Sequence, residues 1–194
     1  MRLCLLLVNN PVTTVPKAKA LMSLMCFQAS REEARMHSDG SIILLKDQDR
    51  SRWSQPLIEK GKYYLEQSAE GEAFSEYHVE AAIAGCHTRA QSFKETDWTQ
   101  IHKLYSILAS MKPGLIVDLN KAIAMGYANS PAEGLRALQN IQGLQHHYLY
   151  HAAIGDFHAE LGHAEQARMS YETAIRLTPS NTEKKLLQSK IQNC

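Results

Sequence analysis

The chain has 194 residues, with 21 basic and 20 acidic side chains and a formal net charge of +1. Hydrophobic residues make up 44% and charged residues 21%, the balance of an ordinary packed domain, which excludes a largely disordered chain. The near-neutral charge argues against a nucleic-acid grip built on a basic face: the longest basic run is Lys184-Lys185, with Glu183 beside it.

Met1-Arg2 precedes an apolar run from Leu3 to Val8. The run is shorter than a secretory core, and Asn9-Asn10-Pro11 follows it instead of a small-residue cleavage site. It reads as a buried helix that begins abruptly, as the first element of a fragment would. A second helix is expected from Pro16, a residue favoured in the first turn, with Leu21, Leu24, Met25 and Gln28 on one face and a continuation through Arg31–Arg35. Ser38-Asp39-Gly40 is a turn signal, and Ile42–Leu45 is a short β-prone run, so a small β-hairpin near residues 36–45 and an irregular loop are both open. The polar string Asp47-Gln48-Asp49-Arg50-Ser51-Arg52-Trp53 follows.

Ser54 stands at an N-cap with Pro56 in the first turn, opening a helix whose inner side carries Leu57, Ile58, Tyr64 and Leu65 and which breaks at Glu70-Gly71-Glu72. Ser75 caps the next, with Val79, Ala82, Ile83 and Cys86 inward. Thr96 or Asp97 opens another carrying Trp98, Ile101, Tyr105 and Leu108, which Pro113-Gly114 ends. Helices are then expected from Leu115 to Tyr127, Pro131 to Ile141, about His146 to Leu161 and Ala164 to Leu177. A last one, capped by Asn181 or Thr182, carries Leu186, Leu187 and Ile191. About ten helices joined by short loops predict an all-α fold, a tetratricopeptide-like stack of helical hairpins (an α-solenoid). The domain organisation this implies is an N-terminal part over 1–53, ending in the polar string, and a repeat domain over 54–194. No stretch approaches the length of a membrane span.

Residues from about Tyr148 to Asn181 fit one tetratricopeptide unit. His151, Ile154, Gly155 and His158 fill the large, aliphatic, small and aromatic places of its first helix; Ala167, Tyr171, Ala174 and Pro179 fill those of its second. Gly155 and Ala167 would let two antiparallel helices approach, Tyr171 and Ala174 would pack toward the next helix, and Pro179 would end the pair. A degenerate unit runs from Leu115 to Leu144 with Ala122, Gly134, Leu138 and Ile141, and a looser one from Ser75 to Pro113.

Chemistry-bearing patterns are sparse. Cys4, Cys26, Cys86 and Cys194 form no CxxC pair and read as reduced thiols of a cytoplasmic protein. His147 and His151 share a helix face, but no carboxylate or cysteine completes a zinc set there, so His146, His147, His151, His158 and His163 read as structural or surface residues. Asp47 and Asp49 would share a face in an extended segment, as a cation site or an acid–base pair would need. Arg50 and Arg52 beside them favour ion pairing or an interdomain contact. No nucleotide-binding, hydrolase or metalloprotease signature is present, and neither catalytic residues, a metal nor a cofactor is expected.

The stretches LMSLMCFQASREEAR (21–35), DGSIILLKDQDRSRW (39–53), AAIAGCH (81–87) and ETDWTQIHKLYSIL (95–108), with the repeat-like tail, together resemble one family. It is the C-terminal extension of extracytoplasmic-function sigma factors of the sigma-70 family, in the branch that carries tetratricopeptide-like repeats after its second DNA-binding region. DQDRSRW is the most specific element. The resemblance implies a regulatory, protein-binding and non-enzymatic domain whose partners are the sigma regions of the full-length protein and core RNA polymerase. Promoter DNA would be met only through regions this chain lacks, and neither a membrane nor a small-molecule substrate is implied. Asp47, Gln48, Asp49, Arg50, Arg52 and Trp53 are then the expected contact residues. The alternative is a free-standing tetratricopeptide adaptor for a peptide or protein.

Overall fold

The computed structural model describes residues 1–70 and 73–194. Among them the secondary structure is helical. The helices are α1 (Arg2–Asn9), α2 (Pro16–Ser30), α3 (Gln55–Ser68), α4 (Glu76–Arg89), α5 (Trp98–Met111), α6 (Leu115–Ala128), α7 (Pro131–Gln139), α8 (Tyr148–Glu160), α9 (Ala164–Leu177) and α10 (Asn181–Gln192). Single 3-10 turns lie at Glu32–Ala34, Leu45–Asp47 and Arg50–Arg52. Helices adjacent in sequence pack in pairs, most extensively α2 with α3, α8 with α9 and α6 with α7. This is the expected all-α stack of paired helices. No described helix is long and apolar enough to cross a membrane.

Proline and short polar residues set the helix starts. Pro16, Pro56 and Pro131 each sit in a first turn, where a missing amide costs nothing. Asp97 and Ser130 cap α5 and α7 by accepting from Gln100 N and Glu133 N. Ser54 holds the N-cap position of α3 through its backbone, its side chain making no cap bond. The last helix is capped by Ser180, one residue before the expected Asn181. Of the break at Glu70-Gly71-Glu72, Gly71 and Glu72 lie outside the described residues; α3 ends at Ser68.

The run Ile42–Leu45 does not become a strand. Backbone bonds from Ile43 N to Arg35 O and from His37 N to Ser41 O tie off a tight loop, and Leu45 already enters a 3-10 turn. Met36 and Ile42 make a single bridge across this loop, and no ladder beyond it forms. Nor does α2 continue through Arg31–Arg35: it ends at Ser30, and Glu32–Ala34 is a separate turn.

Contacts divide the chain into two compact units, one of Met1–Met36 and Ile43–Lys112, the other of His37–Ile42 and Pro113–Cys194. The sequence boundary after Trp53 falls inside the first unit.

In the first unit α2 packs against α1, α3 and α4. Its buried residues are therefore Ala18, Ala20, Met22, Ser23, Cys26, Phe27 and Ser30, while Leu21, Leu24 and Met25 are half-buried and Gln28 is exposed. The expected face is displaced by one position, because polar Ser23 is accommodated at full burial by donating to Gly61 O at 2.7 Å. The Phe27 ring lies where a side chain at Gly61 would stand: a Cβ there would come within 2.6 Å of the ring. Helix α1 buries only Cys4 and Val8 against α2, and Leu3 and Leu6 remain exposed, so the apolar run is one-sided rather than buried throughout.

The second unit repeats the device. Phe157 of α8 fills the space beside Gly126 of α6 and Gly134 of α7, and Tyr171 of α9 covers Gly155 of α8. Tyr171 thus packs into its own hairpin and, as the sequence pattern directed, reaches the following helix too: it shares a cluster with Leu187 of α10, and Lys190 Nζ stands over its ring at 5.5 Å. Ala167 and Ala174 are fully buried and join Leu187 of α10 in one cluster. A polar tie reinforces this end: Asp156 accepts from Tyr171 Oη at 2.7 Å and from Lys190 Nζ at 2.6 Å.

Candidate functional site

The DQDRSRW string lies in the first unit and spans the end of one 3-10 turn and the whole of a second, of which only the second has a side-chain cap. Asp49 opens the second, its Oδ1 accepting from Ser51 N at 2.9 Å and from Ser51 Oγ at 2.7 Å. Those two hydrogen bonds hold its carboxyl below the usual range. The turn sends alternate side chains in and out: Gln48 and Trp53 are buried, Arg50 is half-buried, and Asp47, Asp49 and Arg52 are exposed.

Arg50 reaches the carbonyl end of α4. Its Nη1 donates to His87 O at 2.6 Å and Ala90 O at 2.9 Å, and its Nη2 donates to Thr96 Oγ1 at 3.0 Å. A cation placed at a helix C-terminus meets both the unsatisfied carbonyls and the negative end of the helix dipole. Arg52 Nη2 donates to Glu33 O at 2.6 Å. Gln48 Nε2 donates to Ile43 O at 3.2 Å. Among the described residues, none of Asp47, Asp49, Arg50 and Arg52 joins an ion pair. The local pairing that their spacing suggested is not made among the described residues; Arg50 and Arg52 donate instead to backbone carbonyls, and Arg50 also to the Thr96 hydroxyl.

Trp53 is 3% exposed and packs with Phe27, Ala34, Ile58 and Ala84. Two guanidiniums stand over its ring, Arg50 at 5.0 Å and Arg31 at 5.3 Å. Burial, then Arg35 and Arg50, brings Arg31 down to about 10. Beneath them His87 is buried and makes an edge contact with Trp98 at 5.3 Å. Burial, followed by the charges of Arg31 and Arg50, lowers His87 to about 4, so it is neutral near pH 7. A hollow of about 250 Å³ opens beside this node, lined in part by Arg50, Ser51, Trp53, Thr88 and Arg89.

The structure therefore brings Arg50 and Trp53 together with residues the sequence did not single out: Arg31, His87 and Thr96. His87 and Thr96 stood within the AAIAGCH and ETDW stretches, but nothing local marks them as partners of a segment roughly 40 residues away. Elsewhere, His158 Nδ1 and His163 Nδ1 lie 3.4 Å apart, and among the described residues no third metal-binding side chain joins them.

Over residues 1–69 the sequence matches the model of a family of unknown function, DUF6596. Over 169 residues, 87% of this chain, it is 32% identical to an uncharacterized protein of Rhizobium meliloti (strain 1021). The match spans 40% of that relative, so more than half of the relative lies outside it. No solved structure matches the chain.

Proposed function

We propose that the chain is the C-terminal regulatory and protein-interaction domain of an extracytoplasmic-function sigma factor, acting in the cytoplasm on recruitment of RNA polymerase and without enzymatic activity of its own. The observation that carries this reading is the DQDRSRW string, presented on a rigid support. Arg50 and Trp53 anchor it to α4 and the core, leaving Asp47, Asp49 and Arg52 outward. Outward charges of both signs held on a fixed turn suit a polar contact that sets orientation between domains. A relative more than twice as long as the match supports an appended domain rather than a free adaptor.

The test uses a full-length protein carrying this domain. Asp47→Ala, Asp49→Ala and Arg52→Ala should lower promoter-driven transcription and weaken capture of the separate sigma regions or core polymerase, with helicity and melting temperature retained. Unchanged transcription in all three, with an intact fold, removes the proposal.

A further inference from the structure

Helix α1 carries apolar side chains nearly all the way round. Cys4 and Val8 turn inward and pack on α2, the one substantial helix neighbour of α1 among the described residues. Leu3, Leu6 and Leu7 stand at positions i, i+3 and i+4 and so share the opposite face. That face is open: Leu3 is 78% and Leu6 68% exposed, Leu7 is exposed too, and Val12, just past the helix, is 87% exposed. By contrast α2, α3 and α4 each pack against two helices or more. A helix that is apolar on both sides is made to be buried on both, and leucines clustered in water mark an interaction surface.

We propose that the outer face of α1 seats an apolar helix from the part of the full-length protein that precedes this domain. The inference rests on the reading of the chain as a C-terminal domain, and not on what the preceding regions do. Three observations select that occupant. More than half of the Rhizobium meliloti relative lies outside the match, so a protein of this kind has the chain to supply it. The face is also small. Helix α1 has eight residues and a length of about 12 Å. A single short helix falls well below the roughly 1,200–2,000 Å² that holds two separate proteins together. A helix tethered through a short connection meets the same face at high effective concentration, and consecutive helices commonly lie side by side. This disfavours a second copy or an unlinked partner. Finally, Arg2 is the only charged residue of α1. The helix therefore lacks the basic face that holds an amphipathic helix on a lipid surface.

The test compares hydrogen exchange at the α1 amides of Leu5 to Val8 in this chain alone and in a full-length protein carrying it. The expected result is exchange at least tenfold slower in the full-length protein. Leu3→Gln and Leu6→Gln made together should remove that protection and leave the melting temperature of the chain alone unchanged. Met169→Gln, at an exposed apolar residue of the second unit, should retain the protection. If the double variant does not fold in the full-length protein, the wild-type comparison decides. Equal exchange in the two wild-type proteins overturns the proposal. So does a dimer of the chain alone, seen in sedimentation and dissolved by the double variant, which makes a second copy the occupant. Binding of the chain to vesicles of phosphatidylcholine and phosphatidylglycerol, lost in the double variant, overturns it in favour of a membrane. Slow α1 exchange in a protein whose transcription ignores Asp47, Asp49 and Arg52 would remove the regulatory reading and leave this inference standing; unprotected α1 with transcription lowered by those variants would do the reverse.

Discussion

Phe157 occupies the space that a side chain at Gly126 would need: a Cβ built there would stand 2.1 Å from the ring's Cζ. The same ring closes on Gly134, whose own added Cβ would meet the Gly126 Cα at 2.6 Å. Three helices of the second unit thus meet at one aromatic side chain and two residues without one.

Phe157→Ala should lower stability by about 3–5 kcal/mol, the usual cost of emptying a buried aromatic site. Gly134→Ala should also destabilise, since it presses on backbone that cannot rotate away, outweighing the roughly 1 kcal/mol that alanine gains over glycine in a helix. Gly85→Ala is the contrasting case. Its Cβ would meet Phe27 at an ordinary 3.4 Å, so helix propensity decides and the variant should be neutral or slightly stabilised. Urea unfolding of the three variants checks the order.

Within DQDRSRW, stability and contact should separate by residue. Arg50→Ala removes two hydrogen bonds at the end of α4 and a third to Thr96, and hydrogen bonds to charged groups contribute about 1.5–3 kcal/mol each. Arg50→Lys should recover only part of this, because an ammonium cannot fork to three acceptors. Asp49→Ala touches an exposed turn and should leave the unfolding midpoint within error. A midpoint fall in Asp49→Ala as large as in Arg50→Ala would refute the division.

Stability should fall as pH drops from about 6.5 toward 4. His87 is held neutral in the folded chain down to about 4, whereas its unfolded value is near 6.5. Between those limits the unfolded state binds more protons, so unfolding free energy rises with pH across the window and is flat above it. The expected loss is on the order of 2–3 kcal/mol. His87→Gln should flatten the slope in urea midpoints measured from pH 4.5 to 7.5. Carboxylates such as Asp39, Asp49 and Glu76, all held below their ordinary range by hydrogen bonds, titrate in a separate and more acidic window.

The tie between α8, α9 and α10 should show strong coupling. Asp156→Ala leaves Lys190, whose side chain is 15% exposed, without its carboxylate and the Tyr171 hydroxyl without its acceptor. Asp156→Ala and Lys190→Met made together should cost less than the sum of the two alone, with a coupling of about 0.5–3 kcal/mol in a double-mutant cycle. Additive effects would show that the tie contributes nothing of its own.

Helix number, order and most starts were legible because they depend on local chemistry: prolines at first turns, and Ser54, Ser75 and Asp97 at N-cap positions. Facing was less legible. His151 and His158 were matched to the large and aromatic places of the repeat, yet the buried aromatics of α8 are Tyr150 and Phe157, one residue earlier in each case. A one-position error turns a helix by about 100°, and only the neighbouring helices, here with Gly126 and Gly134 ready to receive a ring, decide which residue turns inward. The candidate site was legible as a string but not as a structure. Neighbouring Asp and Arg suggest pairing along the chain, whereas Arg50 is drawn to helix carbonyls that no local pattern reveals.

The socket of Phe27 has a practical corollary for anyone cutting the gene. The stretch matched by the family of unknown function stops at residue 69, one residue past α3. Yet the ring of Phe27 is walled on its other side by Gly85, and Trp53 shares its core with Ala84, both from α4. A recombinant piece trimmed to the matched stretch would bare two large aromatic surfaces and precipitate; one continued through Lys112 would keep them covered.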